Sequence, residues 1–212
     1  MDSKKPVFLR MDFWLSVLGM LIFTALCAAA PAPSQDSWKV YNGHNLSIHY
    51  PDDAKAYTMG PQKIFAKLGC GSFHGDIIFC MTHVPQSLQA AGQGHTAPPP
   101  LRSAVTISLR SNIRTSSDCR RYNDSTPEAK ALGITQKSIN GVTFYTLPKN
   151  VIEQDHSLMK YDLYRTFSNN TCYEVLAGYA TAPDGKAPVS PQDLEQENAL
   201  LNRVIATLTV TH

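Results

Sequence analysis

Apolar and polar residues alternate along much of this chain, and that two-residue period predicts a β-rich fold. Leu46, Ile48 and Tyr50 alternate with Ser47 and His49, a half-buried strand that Pro51-Asp52-Asp53 ends. Ile77 to Met81 is a continuous apolar, β-prone run. Val105, Ile107, Leu109 and Ile113 alternate with Thr106, Ser108, Arg110 and Arg114. The spacing predicts one strand with its apolar side in the core and its arginines facing solvent. Asn140-Gly141 marks a tight hairpin turn, with Val142, Phe144 and the residues up to Leu147 as its second strand. Met159, Tyr161, Leu163 and Phe167 share one face of a further strand. Asn169-Asn170 then turns the chain, and Cys172 to Ala180 returns.

Two stretches carry helical signals instead. Thr126-Pro127 to Gly133 reads as a short helix, with a cap, proline at the first position and glycine at the end. Ser190-Pro191-Gln192-Asp193 is a stronger helix start, and Leu194, Leu201, Val204, Ile205 and Leu208 then fall on one stripe. Between the strands, Gln86 to Pro100 has no periodicity and carries Gly92, Gly94 and three consecutive prolines, so a mobile loop is expected at 86–100. The fold class is α+β: a mainly antiparallel sheet with a C-terminal helix packed on one face. No internal repeat is present.

The first thirty residues follow a different rule. Lys4, Lys5 and Arg10 form a basic start, Phe13 to Ala30 carries no charge, and the end is rich in small residues. Those are the three parts of a secretory signal, with cleavage expected between Ala29 and Ala30 behind the small residues Cys27 and Ala29. An uncleaved anchor needs about 20 apolar residues, slightly more than this run supplies. Lipid attachment at Cys27 is disfavoured by Leu26 before it. Each of these alternatives leaves the following domain outside the cytoplasm, secreted or periplasmic, because the basic flank stays inside. Residues 31–36 read as a spacer, and 37–212 as a single globular domain, long enough to bury a core without a metal.

Composition removes some partners. The chain has 19 basic and 17 acidic residues; Lys4, Lys5, Arg10, Asp2 and Asp12 fall in the leader, so the remainder carries 16 against 15. Near-neutrality argues against nucleic acid, which needs a phosphate-neutralising surplus. It gives no reason to expect membrane binding beyond the signal segment.

Four cysteines remain after processing: Cys70, Cys80, Cys119 and Cys172. An even count in an oxidising compartment reads as two disulfides, for which three pairings exist. Cys70 with Cys80 and Cys119 with Cys172 is favoured. The first closes a short local loop, worth about 2–3 kcal/mol, and the second joins distant strands, worth about 4 kcal/mol.

Certain residues carry a resemblance. Trp38 followed by Asn45-Leu46-Ser47-Ile48-His49-Tyr50-Pro51 is similar to the G-F-S-I-x-Y-P opening strand of PsbP-like domains. Tyr164-Arg165-Thr166-Phe167 with Cys172-Tyr173-Glu174-Val175 resembles a strand pair of uncharacterised exported bacterial proteins of that shape, and the capped final helix fits the same plan. The likeness covers about a third of the chain. Asp52-Asp53-Ala54 departs from it, since the family usually places an aromatic soon after the proline. The resemblance implies an α/β/α sandwich acting as an assembly or binding module, and it carries over no functional residue.

No catalytic fingerprint stands out. Cys70, His74, Cys80 and His83 could supply thiolate and imidazole to zinc, but their spacing matches no usual finger and exported thiols oxidise. No metal site and no cofactor is therefore expected. Arg102, Arg110, Arg114, Arg120 and Arg121 concentrate charge, and guanidinium forks suit carboxylate or phosphate. Arg110, Arg114, Arg120 and Arg121 are thus the candidate anion-binding residues, against an ordinary solvated face. Ser157 and Lys160 match a serine-acylase spacing, but on a strand that offset points them to opposite faces. Glu153, Asp155 and His156 pair carboxylate with imidazole, yet neighbours on an extended chain seldom converge. Asn45, Asn123 and Asn169 head glycosylation sequons, and Tyr161, Tyr164, Tyr173 and Tyr179 crowd the last hairpin. The expectation is an exported, non-catalytic binding or assembly module whose partner is an unknown protein or envelope component. A hydrolase or metal-dependent enzyme and a small-ligand carrier remain the alternatives.

Overall fold

Three hairpin turns with two successive left-handed residues set the register of the sheets. They are His44-Asn45 (φ 54° and 58°), Asn140-Gly141 (47° and 81°) and Asn169-Asn170 (50° and 55°). This geometry matches the twist of antiparallel strands, and asparagine and glycine tolerate it best. The turns join β1 (Trp38–Gly43) to β2 (Leu46–Pro51), β6 (Thr135–Ile139) to β7 (Val142–Gln154), and β8 (Ser157–Ser168) to β9 (Thr171–Thr181). The computed structural model describes residues 38–58, 70, 75–89, 100–121, 133–154, 157–182 and 189–211. The leader, the spacer, the loop at 90–99 and the expected helix from Thr126 to Leu132 lie outside them.

The remaining strands are β3 (Lys55–Thr58), β4 (Asp76–His83), β5 (Leu101–Leu109) and β10 (Thr209–Val210). Among the described residues they build two antiparallel sheets. The larger runs β3-β4-β5-β9-β8-β7-β6, and the smaller runs β1-β2-β10. The helices are α1 (Gln86–Gln89), α2 (Ser116–Cys119) and α3 (Pro191–Ala206). The chain is α+β, mainly antiparallel with a C-terminal helix, as the periodicity implies. Gln86–Gln89, inside the expected loop, is one helical turn anchored by buried Leu88.

The main core lies between one face of the large sheet and the layer made by α3 and the small sheet. Phe79, Met81, Val105, Ile107 and Val175 meet Ile48, Leu201, Val204, Ile205 and Leu208 there. Tyr41 stacks on Phe79 at 4.7 Å between centroids. Ser190 caps α3, accepting from the Asp193 backbone while Asp193 reaches back, a complete capping box. Hydrogen bonds from Ser190 and then Ser87 hold the Asp193 carboxyl below its ordinary pKa. At the far end, Asn140 Nδ2 donates to the carbonyls of Ala206 (2.9 Å) and Leu208 (3.0 Å). One turn asparagine thus satisfies carbonyls that the helix end leaves open.

Two expectations need correction. β5 stops at Leu109, so Arg110 and Arg114 do not share a strand face. Arg110 N still donates to Cys172 O, but the Ile113 N–H then closes back on the Arg110 carbonyl, and the chain turns off the sheet toward α2. Leu208 does not belong to the helical stripe either. The helix ends at Ala206, and Leu208 fills the core from the link to β10.

Candidate functional site

The opposite face of the large sheet carries the disulfides and a buried charge cluster. Cys70 is joined to Cys80 on β4, and Cys119 at the end of α2 to Cys172 on β9. All four sulfur-bearing residues are buried. Arg165 and Glu174 stand opposite each other on β8 and β9. The Arg165 Nε and Nη2 donate to Glu174 Oε2 at 2.8 Å and 2.6 Å. Its Nη1 donates to the backbone carbonyl of Arg121, just beyond α2. Arg110 Nη1 lies 3.8 Å from the same Glu174 oxygen, with only 11% of its side chain exposed. Arg110 therefore faces inward, not to solvent, because the carboxylate beneath it compensates its desolvation.

The four arginines singled out by sequence are dispersed by this arrangement. Arg110 is committed to Glu174. Arg120 lies over the Tyr145 ring at 4.6 Å and donates to Ser116 Oγ. Arg121 pairs with Asp118 at 3.4 Å on the exposed surface. Arg114 sits in the link between β5 and α2, just before the cap residue Thr115. Arg165, the most deeply buried cation among the described residues, entered the sequence reading only as part of the Tyr164-Arg165-Thr166-Phe167 strand and not as a candidate site residue.

The cysteine–histidine segment has an equally internal fate. With Cys70 and Cys80 in a disulfide, neither offers a thiolate to a metal, and His74 lies outside the described residues. His83, at the end of β4, is clamped instead. Its Nδ1 is 2.9 Å and 3.0 Å from the two Glu197 oxygens, and its Nε2 is 3.4 Å from Asp53 Oδ2. Ser103 on β5 donates a hydrogen bond to Glu197 Oε2. Both ring nitrogens point at carboxylates, so each is engaged inside the domain. The serine hydroxyl addresses the carboxylate and not the imidazole, which is the wrong order for activating a nucleophile. Glu197 sits on the apolar stripe of α3 and is 3% exposed. Periodicity reads that position as an error, so only a paired histidine elsewhere could have suggested it.

A shallow, open groove lies where α3 meets β8 and β9, with a cavity volume of about 20 Å³. Its rim is polar: Lys160, Asp162 and Tyr164 from β8, and Asn198 and Asn202 one turn apart on α3. Leu201, Ile205 and Ala177 form its floor. Tyr164 Oη donates to Asp162 at 3.3 Å. Burial, and then the Asp162 charge, push that phenol far above its ordinary pKa, so it stays a donor. Lys160 Nζ lies 5.9 Å from the Tyr179 ring and Lys137 Nζ 5.6 Å from the Tyr164 ring. Lys160 thus belongs to the groove and not to a Ser157 pair. The Glu153 side chain, Asp155 and His156 lie outside the described residues, as does Asn123. Asn169 Nδ2 donates to the Thr211 carbonyl, and Asn45 is exposed in its turn. Among the described residues, no helix is long and apolar enough to cross a membrane.

What these features define is an antiparallel α+β domain with a helix-walled groove. No family model matches the chain, and no curated protein does. Among solved structures it is similar to the cyanobacterial PsbP of Synechocystis sp., at 12% identity and TM-score 0.46 over 87% of this chain and 98% of that one. It is also similar to LpqN of Mycobacterium tuberculosis, described as involved in cell envelope biogenesis, at 10% identity and TM-score 0.44 over 79% and 83%. A Bacteroides thetaiotaomicron structure matches at 14% identity and TM-score 0.39 over 83% of this chain, which spans 48% of that structure's length.

Proposed function

We propose that the protein is an exported, non-catalytic binding module and that its ligand lies in the groove between α3 and β8–β9. The observation that carries this reading is the composition of the groove. An ammonium, a carboxylate, a phenol and two carboxamides surround an apolar floor. Such a mixture offers directional hydrogen bonds over buried surface, the usual make-up of a binding cleft. Lys160 and Asp162 balance in charge, so the ligand is neutral overall and rich in hydrogen-bonding groups. The basic-apolar leader and the two disulfides support a secreted or periplasmic setting. His83, Ser103, the two cysteine pairs, Arg110 and Arg165 are all engaged in internal contacts, which favours binding over turnover.

The test compares the exported protein with an Asn202→Trp variant of equal melting temperature, each immobilised and exposed to the soluble and envelope fractions of its own host. Support is a component retained by the wild type, competed off by free wild-type protein and lost in the variant. Equal retention by both, or a saturable turnover that survives clean purification, overturns the reading.

A further inference from the structure

Glu197 presents a problem that the rest of α3 does not. It is a carboxylate at 3% exposure on the face of the helix that packs into the core. A buried carboxylate is tolerated only when donors and a compensating charge surround it. The fully buried Ser103 hydroxyl supplies one donor. The charge comes from His83, which reaches both Glu197 oxygens through Nδ1.

We propose that His83, Glu197 and Ser103 form a proton-operated latch: the doubly protonated imidazole pins α3 against β4 and β5, and loss of one proton loosens the first half of that helix.

The chemistry follows from the two ring nitrogens. Among the described residues, the ionisable groups within ion-pair distance of the ring are Glu197 from α3 and Asp53 from the turn between β2 and β3; β5 contributes the neutral Ser103. Imidazolium donates to both carboxylates at once. Neutral imidazole has a single N–H, so one carboxylate then faces a lone pair. Asp53 has a side chain 38% exposed and can turn to water, so the one N–H left stays on Nδ1 toward Glu197, whose buried carboxylate keeps a donor but loses the positive charge that compensated it. Asp193, at the start of the same helix, titrates below the ordinary carboxylate range and stays charged throughout.

The direction in pH is fixed by the same contacts. Burial alone would lower the His83 pKa, but the hydrogen bond and charge of Glu197, and then those of Asp53, outweigh it and raise the value above 6.5. A raised folded value means that the latch is fully engaged below pH 6.5 and is lost as the pH climbs through the folded pKa. Asn198, next to Glu197, and Leu201, one turn on, line the groove. A loosened helix therefore deforms the groove wall, and ligand held at mildly acid pH would be released at alkaline pH. That last consequence rests on the groove reading above; the latch does not.

Amide hydrogen exchange of the ligand-free protein, at about pH 6 and about pH 8.5 and corrected for intrinsic rates, decides it. In the wild type, protection of the amides from Leu194 to Leu201 should fall severalfold at the higher pH relative to those of β9. His83→Gln keeps a donor toward Glu197 but cannot titrate, so its ratio should not change with pH. Glu197→Gln removes the buried charge and should be flat as well. If Glu197→Gln does not fold, His83→Gln decides alone. A wild-type ratio that ignores pH, or the same pH response in His83→Gln, overturns the latch while leaving the groove reading to the Asn202→Trp test.

Discussion

Arg165 and Glu174 face each other directly across β8 and β9, and both are almost wholly buried. Removing one member of such a pair leaves an uncompensated charge inside, at a cost of about 3–5 kcal/mol, whereas replacing both by apolar groups is often neutral. Glu174→Leu is therefore expected to destabilise by about 3–5 kcal/mol in urea denaturation. The double variant Arg165→Met with Glu174→Leu should recover the part of that loss due to unpaired Arg165, while Arg110 stays without its carboxylate. Equal destabilisation of single and double variants would mean that the loss comes from Arg110, or from the contact of Arg165 with the Arg121 carbonyl, and not from an unpaired Arg165.

The alternating strands were readable because one face of each is apolar. Val105 and Ile107 on β5, Val142 and Phe144 on β7, and Leu46 and Ile48 on β2 all lie in the core. The Asn140-Gly141 and Asn169-Asn170 turns were readable for a local reason, the tolerance of those residues for positive φ. His44-Asn45 adopts the same geometry without that signature at its first position, so β1 went unpredicted. The polar interior was not legible. Glu197, Ser103, Arg165 and Glu174 break the binary pattern; Glu197 is compensated by residues about a hundred positions away, and Arg165 and Glu174 by each other across one hairpin. Runs of arginines were conspicuous, yet Arg110, Arg114, Arg120 and Arg121 take different local partners or positions. The groove joins β8 to α3 and leaves no local motif at all.

The two disulfides differ in the length of chain they close, with sequence separations of 10 for Cys70–Cys80 and 53 for Cys119–Cys172. On the loop-entropy argument, replacing Cys119 and Cys172 by serine should cost about 4 kcal/mol, and replacing Cys70 and Cys80 about 2–3 kcal/mol. Loss of the longer link also frees α2 and so withdraws the Arg121 carbonyl from Arg165. Chemical denaturation of the two double-serine variants checks the order. A larger loss from the Cys70–Cys80 pair would show that local packing under β4, and not chain entropy, dominates.

Gly178 on β9 lies opposite Tyr161 on β8. A Cβ at this position would collide with the Lys160 carbonyl and approach the Tyr161 Cβ to 2.6 Å. Because the obstruction is largely backbone, it cannot be relieved by a rotamer change. Gly178→Ala should cost about 1–3 kcal/mol, the range for overpacking. It should also shift the NMR resonances of Lys160 and Tyr161 at the groove. An unchanged melting temperature would mean that β8 and β9 can part here without penalty.

The anchoring of α3 at both ends offers a test of how its stability is distributed. Ser190→Ala removes the capping-box acceptor at the start, a change that costs about 1 kcal/mol at helix N-caps. Asn140→Ala removes two donors to the carbonyls of Ala206 and Leu208 at the other end, and about 1 kcal/mol is expected there too. The two sites share no partner, so the double variant should lose the sum, about 2 kcal/mol. If the double loss is much smaller than the sum, either end alone suffices to undock the helix. Such cooperativity would make α3 a single all-or-none unit, and loosening it at Glu197 would then release its whole length and not only the first half.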